Sequence, residues 1–149
     1  MVRSIQLDIV SAEGAIFSGL AKLVIAPAVM GELGILPAHS PLLTRLKPGE
    51  IRIYPTEGEE LLIYVSGGVL EIQPFAITVL ADTALRAENI DERAALEAKR
   101  RAEQEARRAE QALAEGMPVF DYAKAKSELA KAVAQLHTIE HLRRRAARG

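Results

Sequence analysis

The hydrophobic period of this 149-residue chain changes near residue 85, so the chain cannot be one uniform sheet or one helical bundle. In SIQLDIV, Ile5, Leu7 and Ile9 alternate with Ser4, Gln6 and Asp8, the period-2 pattern of a half-buried strand. The runs AKLVIAP, EIRIYP, ELLIYVS, VLEIQP and AITVLAD that follow are short and β-branched. Most are separated by turn formers, among them Glu13-Gly14, Pro48-Gly49, Glu57-Gly58 and Gly67-Gly68. Such runs at a spacing of roughly 8 to 12 residues predict an antiparallel β-sandwich or flattened barrel.

From Asn89 the sequence turns to alanine, glutamate, arginine and lysine, all strong helix formers. Asn89 and Glu92 fit an Asn-capped variant of the capping box, and Asp91 adds negative charge to the first turn. This helix is expected to end about Glu115, where Gly116-Met117-Pro118 supplies a stop, and a second to run from about Asp121 to Ala147. A short loop between two long helices predicts an antiparallel hairpin. Its seam is expected to use Ala95, Ala98, Ala102, Ala106, Ala109 and Leu113 against Tyr122, Ala125, Leu129, Ala132, Leu136 and Ile139. Alanine allows close approach but contributes little apolar area, so the hairpin is expected to be weakly held. The fold class is therefore α+β, with a β-sandwich over residues 1–86 and a helical hairpin over 87–149.

Bulk properties exclude several roles. A net charge of −1 and a pI near 6.3 give no global attraction to nucleic acid or to a membrane surface. The absence of cysteine removes disulfides, thiol nucleophiles and zinc-thiolate sites. The N-terminus carries Arg3, Asp8 and Glu13 and lacks the apolar core of a secretory signal. The most apolar stretch, Leu23 to Met30, is broken by Pro27 and falls short of the ~18 residues that span a bilayer. A soluble chain is expected, reaching a membrane only through a partner. Charge also divides along the chain: 6 basic and 9 acidic residues up to Arg86, then 13 basic and 11 acidic. Arg143, Arg144, Arg145 and Arg148 follow Glu140 with no acid among them. They suit a helix C-terminus, and equally an acidic partner surface.

Catalytic motifs are missing: no GxSxG elbow, no GxxxxGK[ST] loop and no GxGxxG. Glu59 and Glu60 adjoin a turn glycine and are expected to face solvent on opposite sides of the chain. His137 and His141 lie four apart on one helix face, but HTIEH is not HExxH and no third ligand is near. They read as exposed helical histidines. GELGILPAHSPLL, residues 31–43, carries Glu32 and His39 without an activating serine or cysteine pattern, and reads as a loop that grips another protein.

The strings GELGILPAHSPLLTRLKPGEIRI, YVSGGVLEIQP, ITVLADTA and IDERAALEAKRRAE, in this order and spacing, resemble the epsilon subunit of bacterial F-type ATP synthases. The resemblance covers nearly the whole chain. It implies a non-catalytic rotor subunit of the central stalk, whose sandwich binds the gamma subunit and rests on the c-subunit ring. The hairpin would extend into the catalytic head of alpha and beta subunits and inhibit ATP hydrolysis. It further implies a peripheral place on the cytoplasmic face of the bacterial inner membrane, without insertion. By position, Glu32 matches the acidic residue that family members place against the c-subunit polar loops, and His39 matches the histidine of the same sandwich end. Arg143, Arg144 and Arg145 match basic positions that meet the beta subunits.

One departure concerns ATP, which some family members bind through [IL]-D-x-x-R-A. Here Ile90-Asp91-Glu92-Arg93-Ala94-Ala95 places arginine one residue early, turning it by about 100°. Lys124, Lys126 and Lys131 lack arginine's planar fork. Asp91 and Arg93 are the nucleotide candidates, and ATP binding is expected to be weak or absent. No other cofactor and no metal is expected. Without the resemblance, the rival reading is a free-standing small-ligand-binding sandwich with a helical oligomerisation hairpin.

Overall fold

A computed structural model describes residues 4–116 and 120–148, with the backbone alone at Phe120 and Asp121. The chain divides into two compact units, one ending at Asn89 and the other beginning at Ile90.

The first unit contains strands β1 (Ile5–Ser11), β2 (Gly14–Ala28), β3 (Gly31–Ile35), β4 (Leu42–Leu46), β5 (Gly49–Pro55), β6 (Leu61–Val65), β7 (Gly68–Gln73), β8 (Ala76–Ala81) and β9 (Ala84–Arg86). The pairing order is β1-β8-β7-β4-β2-β5-β6-β9; β3 pairs with β2, and a further β1–β2 pairing closes a circuit. β2 makes this closure possible. At 15 residues it pairs with β1 over its first half and with β3 and β5 over its second. All pairings are antiparallel except β1–β8, which is parallel, with Leu7 opposite Ile77.

The predicted alternation of β1 holds. Ile5, Leu7 and Ile9 point inward and meet Val24, Ile35, Ile51, Ile53, Ile63, Leu70, Ile72, Ile77 and Val79 in one aliphatic core. Gly68 shows how tightly the unit closes. At φ +141°, a Cβ there would lie 2.2 Å from the Leu80 carbonyl oxygen.

After a 3-10 turn, Ala87–Asn89, the second unit holds α1 (Glu92–Ala114) and α2 (Phe120–Arg148). Asn89 is not the cap. It lies inside the 3-10 turn, and the cap is Asp91, whose side chain accepts from the Ala94 N–H at 3.1 Å. The carboxylate one residue before the helix reaches the free amides that Asn89 cannot. At the other end Gly116 takes φ +83° and donates its N–H to the Leu113 carbonyl, the expected stop. Met117 and Pro118, read as part of that stop, lie outside the described residues.

The helices run antiparallel, since α1's start pairs with α2's end through Glu92 and Arg143, and α1's end meets α2's start through Glu110 and Tyr122. The seam follows the predicted residues. Ala95, Ala102, Ala125, Ala132 and Ile139 are buried, and Ala98, Ala106, Ala109, Leu113, Tyr122, Leu129 and Leu136 are half-buried. Periodicity did not single out Thr138, which is fully buried and donates its hydroxyl to the Ala134 carbonyl at 2.8 Å, as a mid-helix threonine can.

Candidate interaction sites

GELGI, expected as part of a loop, is strand β3 on the outer side of β2, and only residues 36–41 connect it to β4. Glycines 31 and 34 suggest a loop, but register with β2 decides otherwise: Glu32 faces Pro27 and Ile35 faces Val24. Glu32 is paired with a cation. Arg52 of β5 donates from Nη2 to both of its carboxylate oxygens, at 2.9 Å each. The Arg52 side chain is 22% exposed and that of Glu32 60%, so a largely buried cation fixes a carboxylate that still faces outward.

His39 is not beside Glu32. Glu32 is the second residue of β3, just after the β2–β3 turn, and His39 sits in the segment that follows Ile35 at the strand's other end. That segment is pinned by the Ala38 N–H, which donates to the Pro74 carbonyl at 2.8 Å, and Ala38 takes the left-handed φ of +67°. His39 is half-buried, with Nδ1 2.7 Å from the Ser40 carbonyl oxygen.

The SGG and ADT motifs are structural. The Ser66 and Thr83 hydroxyls lie 2.6 Å apart, the Thr83 N–H donates to the Ser66 hydroxyl at 2.9 Å, and the Ser66 N–H donates to the Thr83 carbonyl. The Asp82 N–H donates to the Gly67 carbonyl. These bonds tie together the β6–β7 and β8–β9 turns, which lie side by side at one end of the β7–β8 pair. Elsewhere on this unit Met30, Leu43, Phe75 and Leu80 are well-exposed apolar side chains, and register sets Val69 between Arg45 and Leu80.

Tyr54 and Glu60 form a polar pair that the turn-proximal reading of Glu60 missed. Burial raises the Tyr54 phenol above its ordinary value, and the negative charge of Glu60 adds to the rise. Glu60 is half-buried while Glu59 is exposed, so only Glu59 faces solvent as expected.

On the hairpin the two nucleotide candidates are placed differently. Asp91 spends its carboxylate on the helix cap, and Arg93 is exposed. Among the three terminal arginines, Arg143 reaches across to α1, where Nη1 donates to Glu92 Oε1 at 2.9 Å and Nη2 pairs with Oε2. The Glu92 carboxyl is held below the ordinary carboxylate range, first by these hydrogen bonds. Arg144 pairs within its own helix, with Glu140. Arg145 is half-buried. His137 is exposed and His141 half-buried, and no group of three metal-ligating side chains occurs among the described residues.

Sequence reasoning missed Arg52, and read Glu92 only as a capping-box partner of Asn89. The true partner of each follows only from strand order or helix register.

Two family models cover the chain consecutively. Residues 4–87 match the ATP synthase, Delta/Epsilon chain, beta-sandwich domain, and residues 88–140 match the long alpha-helix domain of the same chain. The chain belongs to the ATP synthase delta/epsilon family. Curated relatives named ATP synthase epsilon chain include that of Halorhodospira halophila, 56% identical over 146 residues, and that of Alkalilimnicola ehrlichii, 55% identical over 145. Each alignment takes in 97% of this chain and 99% of the relative. The delta/epsilon fold is also similar to a chain in the Euglena gracilis mitochondrial ATP synthase structure of OSCP, F1 and c-ring. That match has TM-score 0.78 and 16% identity, over 93% of this chain and 83% of that one. As a delta/epsilon chain it is a non-catalytic subunit, and no helix among the described residues is long and apolar enough to cross a membrane.

Proposed function

We propose that the chain works in the central stalk of a proton-translocating ATP synthase, as a rotor subunit that joins the catalytic head to the membrane ring and restrains ATP hydrolysis. The carrying observation is its likeness from end to end to relatives named ATP synthase epsilon chain, across both sandwich and helices. The sandwich binds the gamma subunit and the c ring, with Glu32 and His39 as contacts at separate places on its surface. The outward carboxylate of Glu32, fixed by Arg52, supports that role, as do the exposed Met30, Leu43 and Leu80. The subunit attaches to the cytoplasmic side of the bacterial membrane through its complex.

The hairpin is the regulatory arm. Its alanine seam buries little area per residue, and its cationic end suits the acidic surface of the catalytic beta subunits. Arg143, Arg144 and Arg145 make that contact. Asp91 and Arg93 are the nucleotide candidates, but with Asp91 occupied as a cap and Arg93 one position early, ATP is bound weakly or not at all.

The test is ATP hydrolysis by the reconstituted complex carrying either the full chain or one ending at Arg86. Truncation should raise hydrolysis and leave assembly with gamma and proton coupling intact. Equal hydrolysis by the two complexes across nucleotide and proton-gradient conditions would remove the inhibitory role. Failure of the chain to co-purify with gamma and the catalytic head would remove the stalk role itself.

A further inference from the structure

Arg143 and Glu92 are 51 positions apart in sequence and meet at the open end of the hairpin, where no loop holds the helices together. The guanidinium engages the carboxylate through two nitrogens and two oxygens, the planar fork that arginine alone supplies. Helix polarity favours the pair. Glu92 lies in the first turn of α1, at its positive end, and Arg143 lies near the negative end of α2. Toward the loop end, among the described residues, the Tyr122 hydroxyl donates across the helices to Glu110 at a longer 3.4 Å. Arg144, by contrast, pairs with Glu140 on its own helix, and that pair travels with α2 whether the hairpin is open or closed.

We propose that Glu92 is an internal competitor for Arg143: it occupies in the closed hairpin the guanidinium that the extended arm needs for an acidic partner surface. This rests on the inhibitory reading of the arm given above. Glu92 takes the Nη1/Nη2 edge of the guanidinium, so an acidic partner that needs this edge competes with the latch. Glu92 then sets how readily the arm is released, although it touches neither the catalytic site nor the partner. It is a residue that restrains inhibition, placed on the arm that inhibits. Its removal leaves the helix start intact, because Asp91 and not Glu92 caps α1.

Two measurements on the full chain test the competition. The chain has no cysteine, so Ala94→Cys and Ala146→Cys accept spin labels without background. In the isolated chain, Glu92→Gln should broaden the label-to-label distance distribution, and the charge swap Glu92→Arg with Arg143→Glu should restore it. An unchanged distribution in Glu92→Gln overturns the latch.

In the reconstituted complex, Glu92→Gln should lower ATP hydrolysis by about two- to five-fold relative to the unmodified chain, the fold-change that one exposed ion pair commands. The swapped chain should hydrolyse faster than the unmodified one, because its latch is intact and its docking arginine is gone. Hydrolysis in Glu92→Gln that is unchanged or raised, in complexes where truncation after Arg86 does raise the rate, overturns the competition alone. A truncation without effect overturns the inhibitory reading, and the competition falls with it.

Discussion

Arg52 and Glu32, on β5 and β3, are joined across β2 by one guanidinium nitrogen that donates to both carboxylate oxygens at 2.9 Å. The two strands do not pair with each other through their backbones. β2 holds them at the spacing that lets Arg52 reach diagonally past Ile25 to the residue opposite Pro27. Replacing Glu32 with Gln should leave the fold standing and weaken association with the c ring. A double-mutant cycle of Glu32→Gln with Arg52→Leu, read by urea denaturation, should give a coupling of about 0.5–1 kcal/mol, the scale of a partly exposed pair.

Gly68→Ala should destabilise the sandwich by about 3 kcal/mol, because a Cβ there meets the Leu80 carbonyl oxygen and the Ala81 Cα, both backbone. The urea midpoint should fall at constant slope. Gly58→Ala, where a Cβ would meet open space but φ is +96°, should cost less, on the order of 1 kcal/mol.

Asp91→Ala should lower the stability of the hairpin by about 1 kcal/mol, the usual loss of a helix cap, while Asn89→Ala should be nearly neutral. Circular dichroism of the two variants during thermal unfolding distinguishes the observed cap from the one expected on sequence grounds. The reverse order of effects would place the cap at Asn89.

Glu92 links the hairpin to pH. Its folded carboxyl is lowered from the ordinary 4.5, first by hydrogen bonding to Arg143 and then by that residue's charge, with desolvation opposing. A depressed carboxylate contributes stability above the unfolded value, and that contribution disappears as pH falls through the folded one. Label distances across the open end should therefore broaden in acid, below about pH 4.5. Glu92→Gln should show the broad distribution already at neutral pH, with no further acid step from this pair.

Calorimetric titration of the isolated chain with ATP should show no submillimolar binding. Restoring the spacing with Arg93→Ala and Ala94→Arg moves the guanidinium by about 100° around α1. A gain of affinity in that variant would show that the one-residue shift is what weakens the site. Submillimolar binding by the unmodified chain would contradict the reading.

Local pattern carried much of the architecture. Six strand-like runs correspond to β1, the second half of β2, and β5 to β8, and every residue predicted for the helical seam is buried or half-buried, although Ala134 and Thr138 are buried too. The first half of β2, and β3, β4 and β9, were not recognised as strands. β3 and β9 are short, and GELGI carries two glycines in five residues. What makes such segments strands is a neighbour's backbone, not their own preference.

The sequence by itself determined that this chain is an aliphatic sandwich followed by an alanine-seamed hairpin, because hydrophobic period and helix propensity act among near neighbours. It also determined the family, through motifs such as SGG and ADT whose hydroxyl and backbone bracket the fold requires. Only the tertiary structure decided which charges meet. Arg52 with Glu32 and Arg143 with Glu92 depend on strand order and helix register, and an ion pair forms only where the fold brings both groups within a few ångströms.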